Sequence, residues 1–469
     1  DRDQKFGTSM YVSGLNYKKP LNAKTFVSAT IATSFEEQHS RHDYLQRSLS
    51  VVGADTSISV DTSYLMMGYN FNTIKTSGHF SLNHKINKKN LIKTGVNLDV
   101  FSLFQSDSVL YDLDTPDNFK NRWDYSGTQL LAQPFIQWKY RASDNLDFTL
   151  GLHSQYYSNA NSLSAVEPRT AIKYRFKNNQ SVFAGAGLHS QMQPLYTYSY
   201  HQLDINGNKI YQNRDMGLMK SIHSGLGYEK TFDKGFSIKT EAYYQYLYQV
   251  PVTVSPSAFS MINMGSGFAR LFPDSLENIG TGLNYGLELT VQKYFNKSFF
   301  FLFSGTLYDS KYTGSDGVQR NTSYNGSYVV NFLAGKEFNI GNNNTVGVGL
   351  KITRAGGKRY GYVDIDATED LKEIVFQDSL FNERQFADYF RIDLKVSWRL
   401  NAKKTAHEIG LDLVNILNTS NLLGLAYAPS LDPSVVSSPG YEPTAQKKQL
   451  GFLPIFYYKI DFRPKKPSK

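Results

Sequence analysis

The residues best suited to metal chemistry lie close together near the start of the chain, in Glu36-Glu37-Gln38-His39-Ser40-Arg41-His42-Asp43. A His-x-x-His pair (His39, His42) with flanking carboxylates has the donor types that hold a divalent metal or capture a metal complex. The simpler expectation for so polar a stretch is a solvated outer loop. A second acidic run, Val363-Asp364-Ile365-Asp366-Ala367-Thr368-Glu369-Asp370, has the oxygen donors of a calcium loop but lacks the glycine that its tight turn needs. The remaining histidines are scattered. Cysteine is absent, which removes disulfide scaffolds, Cys-ligated zinc, iron–sulfur clusters and thiol catalysis in one step. Neither a nucleophile elbow nor a P-loop occurs. The chain therefore reads as a binding protein, not an enzyme, with no metal site of its own beyond the weak His39 and His42 candidates and no cofactor.

Two further sets of residues acquire a role only if the backbone positions them. Glu167, Arg169, Lys173, Glu288, Arg391, Asp393, Lys395 and Arg399 fall on the polar side of alternating segments. Tyr196, Tyr198, Tyr200, Phe259 and Phe268 fall in the links between such segments. There they either line a ligand vestibule, where stacking and area burial give affinity, or pack the loops.

The elements that must do the positioning are strands. From Tyr389 to Leu400, Phe390, Ile392, Leu394, Val396 and Trp398 alternate with Arg391, Asp393, Lys395, Ser397 and Arg399. Leu283, Tyr285, Leu287, Leu289 and Val291 alternate in the same way with Asn284, Gly286, Glu288, Thr290 and Gln292. Period two is the mark of a strand whose two faces meet different surroundings. A soluble antiparallel sandwich would bury the apolar face, whereas a transmembrane barrel would turn it to lipid. Many runs reach about 10–14 residues, longer than the usual 5–6 of soluble strands and enough to cross a membrane on a tilt. Aromatics gather at run ends, as in Tyr243-Tyr244-Gln245-Tyr246-Leu247-Tyr248 and Phe456-Tyr457-Tyr458, where an interfacial girdle belongs.

Composition agrees with the barrel. Aromatics make up 14% of the 469 residues and charged residues only 19%, below the roughly 25% typical of soluble domains. The mean hydropathy of −0.41 is what alternation produces, since polar residues dilute the belt. No window approaches the ~20 apolar residues of a membrane helix. The net charge of +9 sits largely in short turns and in the tail Arg463–Lys469, so it reads as solvated turns and not as a nucleic-acid face.

Short polar turns are expected at Asn87–Asn90, Arg141–Asn145, Lys177–Gln180, Phe232–Gly235, Asn296–Ser298, Asn339–Asn344 and Asn401–Thr405. Long links are expected on the alternate side, at Glu37–Tyr64, Gln105–Tyr125, Gln193–Asp215, Pro251–Asn278 and Gly357–Asp388. Turns on one rim and loops on the other are the asymmetry of outer-membrane barrels. About 17 strands fit between Phe6 and Phe462. An odd number sets the expectation that strands preceding this chain complete an even barrel.

Particular segments carry a family resemblance. Val166-Glu167-Pro168-Arg169 with Ile172-Lys173-Tyr174-Arg175-Phe176 resembles the mid-barrel strand of TonB-dependent outer-membrane receptors. Tyr248-Gln249-Val250-Pro251-Val252, Leu276-Glu277-Asn278-Ile279-Gly280 and Asn284-Tyr285-Gly286-Leu287-Glu288-Leu289 resemble the branch with a carboxypeptidase-regulatory-like N-terminal module. Val414-Asn415-Ile416-Leu417-Asn418 is similar to the Asn-rich kink of the penultimate strand, and Gly451–Pro454 through Tyr458–Phe462 to the closing strand.

The resemblance implies an all-β, antiparallel transmembrane barrel over residues 1–462, part of a 22-strand barrel whose plug and first strands precede this chain. A basic periplasmic tail would follow at residues 463–469. It implies TonB-energised uptake, in a Gram-negative outer membrane, of a scarce nutrient such as a siderophore, vitamin, glycan or peptide. The lumen-facing charges would then hold the plug by salt bridges, or simply be solvated. Implied partners are the TonB complex, outer-membrane lipids, the barrel-insertion machinery and a small ligand, with room for a surface lipoprotein and none for nucleic acid. The rival readings are a passive porin-type channel and a soluble all-β binding or adhesin protein.

Overall fold

Antiparallel strands account for almost all of the regular structure in the computed structural model. The structure describes residues 2–52, 55–110, 118–160, 162–163, 166–265, 275–430 and 432–462. Among them, the strands of eight or more residues are β1 (Arg2–Asn22), β2 (Thr25–Val52), β3 (Asp55–Lys85), β4 (Asn90–Leu110), β5 (Asp124–Arg141) and β6 (Leu146–His153). They continue with β7 (Glu167–Phe176), β8 (Gln180–Gln191), β9 (Met219–Phe232), β10 (Phe236–Thr253), β11 (Leu276–Asn296) and β12 (Phe299–Thr313). The last are β13 (Tyr328–Ile340), β14 (Asn344–Ala355), β15 (Tyr389–Asn401), β16 (Thr405–Val414) and β17 (Leu453–Phe462). All seven expected short turns separate consecutive strands. The turn between β7 and β8 puts Asn178 and Asn179 both at positive φ (62° and 54°), as a two-residue hairpin turn requires.

Two compact units divide the chain. The first comprises Asp1–Ala171, Gly187–Ser221 and Ala269–Ile279; the second comprises Ile172–Ala186, Ile222–Phe268 and Gly280–Lys469. In the first, β1 to β6 pair in chain order as an antiparallel meander. In the second, β11 to β17 do the same.

Directly paired residues share a face, so the ladders show where each face points. In the second unit Leu287 pairs with Leu307 and Trp398 with Ile409, and all four side chains are exposed, Leu307 to 64%. In the first, Ile74, Leu98, Val100 and Phe104 are exposed along β3 and β4. A soluble sandwich would have covered this face. Here the apolar side is the uncovered one, as in a sheet that meets lipid. The opposite, polar face carries most of the candidate charges, among them Arg391, Asp393, Lys395 and Arg399.

One structural device recurs on the polar face. Phe135, Phe300 and Tyr457 lie directly opposite Gly95, Gly335 and Gly410 on the neighbouring strand. A Cβ on any of these glycines would run into the facing ring. The Lys93 ammonium stands 5.5 Å over the Phe135 ring and that of Lys395 4.2 Å over Tyr457, a cation–π cap on the joint.

The long link expected at Glu37–Tyr64 is instead the middle of an extended hairpin. β2 and β3 stay paired from Thr25↔His84 to Val52↔Asp55, with register shifts at His42/Asp43 and Gln46/Arg47. These bulges change the phase of the alternation, which is why the sequence pattern stops where the strand does not. Beyond Tyr44 and Met67 the ribbon runs past the ends of the ladders with β1 and β4. The tail at 463–469 lies outside the described residues.

Candidate functional site

In the first unit, the connection after β8 folds back over the polar face of β2–β4. A short helix, α1 (Leu195–Ser199), follows Pro194, its N-cap residue, which is in an extended conformation. Its anchor is Trp123, fully buried just before β5. The Asp107 carboxylate accepts hydrogen bonds from the backbone N–H groups of Arg122 (2.6 Å) and Trp123 (2.9 Å) and from Arg122 Nε (2.7 Å). Trp123 Nε1 then donates to the Tyr196 carbonyl at 2.7 Å. The indole meets Phe71 and Tyr200 edge-on, each at 5.5 Å between ring centroids, a preferred aromatic geometry. The Ser199 hydroxyl donates to the Gln105 side-chain oxygen, and the His201 N–H donates to the Arg122 carbonyl at 3.0 Å. Burial pushes the Tyr198 phenol up to about 12 and pulls His201 below its ordinary value, so both are neutral at physiological pH.

Beneath α1 lies a cavity of about 250 Å³. Its floor is a patch of directly paired positions. Across β2, β3 and β4 the rows run Ser34–Lys75–Phe101, Glu36–Thr73–Leu103 and Gln38–Phe71–Gln105. Leu195 and Tyr196 form the roof. The Lys75 ammonium is 3.2 Å from Asp99 Oδ2 and 5.3 Å over the Phe101 ring, and the Gln38 amide donates to Glu36. The floor is fixed by strand pairing and the roof by the Trp123 anchor, so the pocket exists before any ligand arrives.

A second polar-face site of the first unit surrounds Glu167. This carboxylate is fully enclosed and contacts His153 Nδ1 at 2.8 Å, Arg169 at 3.0 Å and Gln155 Nε2 at 3.3 Å. Buried charge demands such pairing.

In the second unit the candidate charges pair sideways along the wall. Arg399 bridges Glu408 (3.2 Å) and Asp461 (2.8 Å), tying β15, β16 and β17. Lys395 pairs with Asp412 at 3.3 Å and Lys173 with Glu229 at 3.4 Å. Arg391 pairs with Asp393 at 2.8 Å, and Asp393 Oδ1 also accepts the N–H of Asn415 at 2.9 Å. Asn415 and Asn418 take left-handed φ of 54° and 51°, so the Asn-rich kink after β16 is built on the residue type that tolerates that conformation. Glu288 is exposed, opposite Thr306.

The aromatic candidates separate by position. Tyr198 and Tyr200 are buried packing under and beside α1; Tyr196 faces the cavity. Phe259 is half-buried, and Phe268 lies outside the described residues. His39 and His42, three apart on a strand and not on a loop, point to opposite faces. His42 packs against Phe6 at 5.4 Å, and His39 lies 3.9 Å from Glu37. Asp364 caps a second helix, α2 (Ile365–Leu371), by accepting from the Ala367 N–H at 3.1 Å, and the acidic run is that helix instead of a calcium loop.

Sequence reasoning missed Trp123, Asp107 and the cavity floor. The one usable signal was a tryptophan, one of three in the chain, standing outside any alternating run between Arg122 and Asp124.

The family model described as TonB dependent receptor-like, beta-barrel matches residues 1–418. No curated protein matches the chain in sequence. Among solved structures, the chain is similar to the ferric preacinetobactin receptor of Acinetobacter baumannii, with 14% identity and a TM-score of 0.61, over 97% of this chain and 64% of that one. It is also similar to the ferric-catecholate import receptor of Escherichia coli K12, with 12% identity and a TM-score of 0.63 over 97% and 64%. The pyoverdine outer-membrane receptor of Pseudomonas aeruginosa gives 10% identity and a TM-score of 0.62 over 98% and 62%. At these identities the likeness is one of fold. The chain spans about two thirds of the length of each of these structures.

Proposed function

The chain belongs to the TonB-dependent receptor β-barrel family, placed in the outer membrane of a Gram-negative bacterium, and from that premise we propose that it is the wall and loops of a receptor that takes up a scarce nutrient under TonB energy. The observation that supports this most directly is the roofed cavity on the polar face of a sheet whose apolar face is uncovered. A lipid-facing wall alone would serve a passive channel equally well. A preformed pocket beneath an anchored loop is what a receptor that holds a ligand before moving it would carry.

The polar-face charges divide by what already satisfies them. Glu167, enclosed by His153, Gln155 and Arg169, holds the wall together. Lys173, Glu288, Arg391, Asp393, Lys395 and Arg399 are half-buried or exposed. We assign to them contacts with a plug supplied by the whole receptor, through exchange of their lateral ion pairs. Such exchange needs little free energy, because partly solvated pairs are worth about 0–1 kcal/mol.

The test is uptake of labelled siderophores, vitamins, glycans and peptides by a strain with and without the gene, and with and without TonB. Loss of uptake of one nutrient class in both deletions is the expected result. Uptake that survives loss of TonB, together with steady ion conductance of the purified protein in a planar bilayer, would instead establish a passive channel.

A further inference from the structure

The cavity beneath α1 has a shape and a lining that select among ligands. Its floor spans three strands and five residues along each. Strand spacings of about 4.8 Å and rises of about 3.3 Å per residue make that patch roughly 10 by 13 Å, and its volume is about 250 Å³. This lies below the roughly 300–1,000 Å³ usual for drug-sized ligands, so one small ring with substituents fills it. A bulky iron chelate does not.

Charge narrows the choice. Lys75 is the cation on the lining, and Asp99 already neutralises it at 3.2 Å. Glu36 then leaves the patch net negative, so an anionic chelate or a free carboxylate enters against like charge and without a guanidinium to receive it. What remains are hydrogen-bonding groups at fixed spacing: the neutral Gln38 and Gln105 amides and Ser34 and Thr73 hydroxyls, and the anionic Glu36 carboxylate as an acceptor. A side-chain amide both accepts from and donates to neighbouring hydroxyls, and a carboxylate accepts from two of them. The rings of Phe71, Phe101 and Tyr196 supply apolar faces beside them, on which the C–H face of a pyranose lies.

We propose that this cavity is a subsite for one neutral sugar residue, held by Glu36, Gln38 and Gln105 at its hydroxyls and by the surrounding aromatic rings at its C–H face. The proposal rests on the receptor reading above and gives it a substrate class.

The experiment is calorimetric titration of the full chain, purified in detergent, with glucose, galactose, mannose, xylose, N-acetylglucosamine and their β- and α-linked disaccharides. A ferric catecholate complex and a neutral dipeptide serve as contrasting probes. Saturable binding of at least one sugar is expected, weakened at least tenfold by Glu36→Ala and by Gln38→Ala and less than threefold by Lys75→Met. An unchanged thermal transition in each variant separates lost contacts from lost fold. The proposal is overturned if no sugar in the panel binds, if Glu36→Ala and Gln38→Ala leave binding unaltered, or if the chelate or dipeptide binds in their place with dependence on Lys75. Binding here requires no energised transport. Failure of this titration with TonB-dependent uptake intact would sink the sugar subsite and leave the receptor reading standing.

Discussion

In the first unit the connection after β8 is held by rings gathered around Trp123, whereas in the second the connections after β10, β12 and β14 are held by ions and amides gathered around Arg320. Arg320 is almost wholly buried. It donates to both oxygens of Asp316 (2.9 and 2.6 Å), to the Asp378 carbonyl at 3.1 Å and to the Val318 carbonyl at 3.2 Å. Around it Tyr312 Oη donates to the Ala258 carbonyl at 2.8 Å, Asn263 Oδ1 accepts the Ser323 N–H at 2.9 Å, and Asn382 Nδ2 donates to the Asn321 carbonyl at 2.8 Å. Aromatic packing is directionally tolerant and can arch over empty space, so the first unit keeps a cavity under its loop. A guanidinium knot needs each donor met, so it draws its loops together. The two solutions differ in what anchors the loop: stacked rings in one unit, a paired guanidinium in the other.

The largest effect expected from breaking this contrast is at Trp123. Trp123→Ala removes the ring cluster and the bond to Tyr196 together, and should cost the loop about 3–5 kcal/mol. Hydrogen exchange would show it as lost protection across α1 and Gln105–Asp107, with the Arg320 loops unchanged. Uniform loss in both units would mean that the two loop systems are not independent. Arg320→Ala should come next, at about 3 kcal/mol, because it strands Asp316 in a partly buried site. Arg320→Lys should recover only part of this, since an ammonium cannot reproduce the two-pronged geometry. Full recovery by lysine would show that charge alone holds the knot.

The smallest expected effect is a pH dependence that separates the two. Burial depresses His201 below its ordinary 6.5, so the folded loop binds fewer protons than the opened one. Stability contributed by the neutral ring is therefore present above 6.5 and lost as pH falls through that value toward the depressed one. Protection of α1 should decline between pH 7.5 and 5.5, and His201→Phe should abolish the decline. The Arg320 knot should stay flat over that range, because Arg320 holds the Asp316 carboxyl below the usual carboxylate range. A decline of equal size in both loop systems would contradict the assignment to His201.

The wall was legible in sequence because one rule, period two, governs both its geometry and its solvent. Trp398 could be set on the lipid side and Arg399 on the polar side from spacing alone, and the polar turns could be placed from their Asn, Lys and Gly. Legibility failed where a bulge shifted the phase, as at His42/Asp43. There a continuing strand looked like a solvated loop, with His39 and His42 in it as weak metal candidates. It failed again where proximity depends on pairing register. Glu36, Thr73 and Gln105 line one cavity because three ladders align them, and nothing local marks that alignment. The tyrosines at 196, 198 and 200 repeat every second residue, yet a five-residue helix over a buried indole turned two of them inward.

The rings seated on glycines also act as an error check during assembly. A strand that slips by one residue turns its apolar face the wrong way and is rejected by the membrane itself. A slip of two restores every face, so alternation cannot detect it. It would, however, carry Phe135 from Gly95 onto Lys93 or Asn97, Phe300 from Gly335 onto Leu333 or Glu337, and Tyr457 from Gly410 onto Glu408 or Asp412. Each substitute has a side chain where the ring needs bare backbone. The glycines therefore proofread the one misalignment to which lipid is blind.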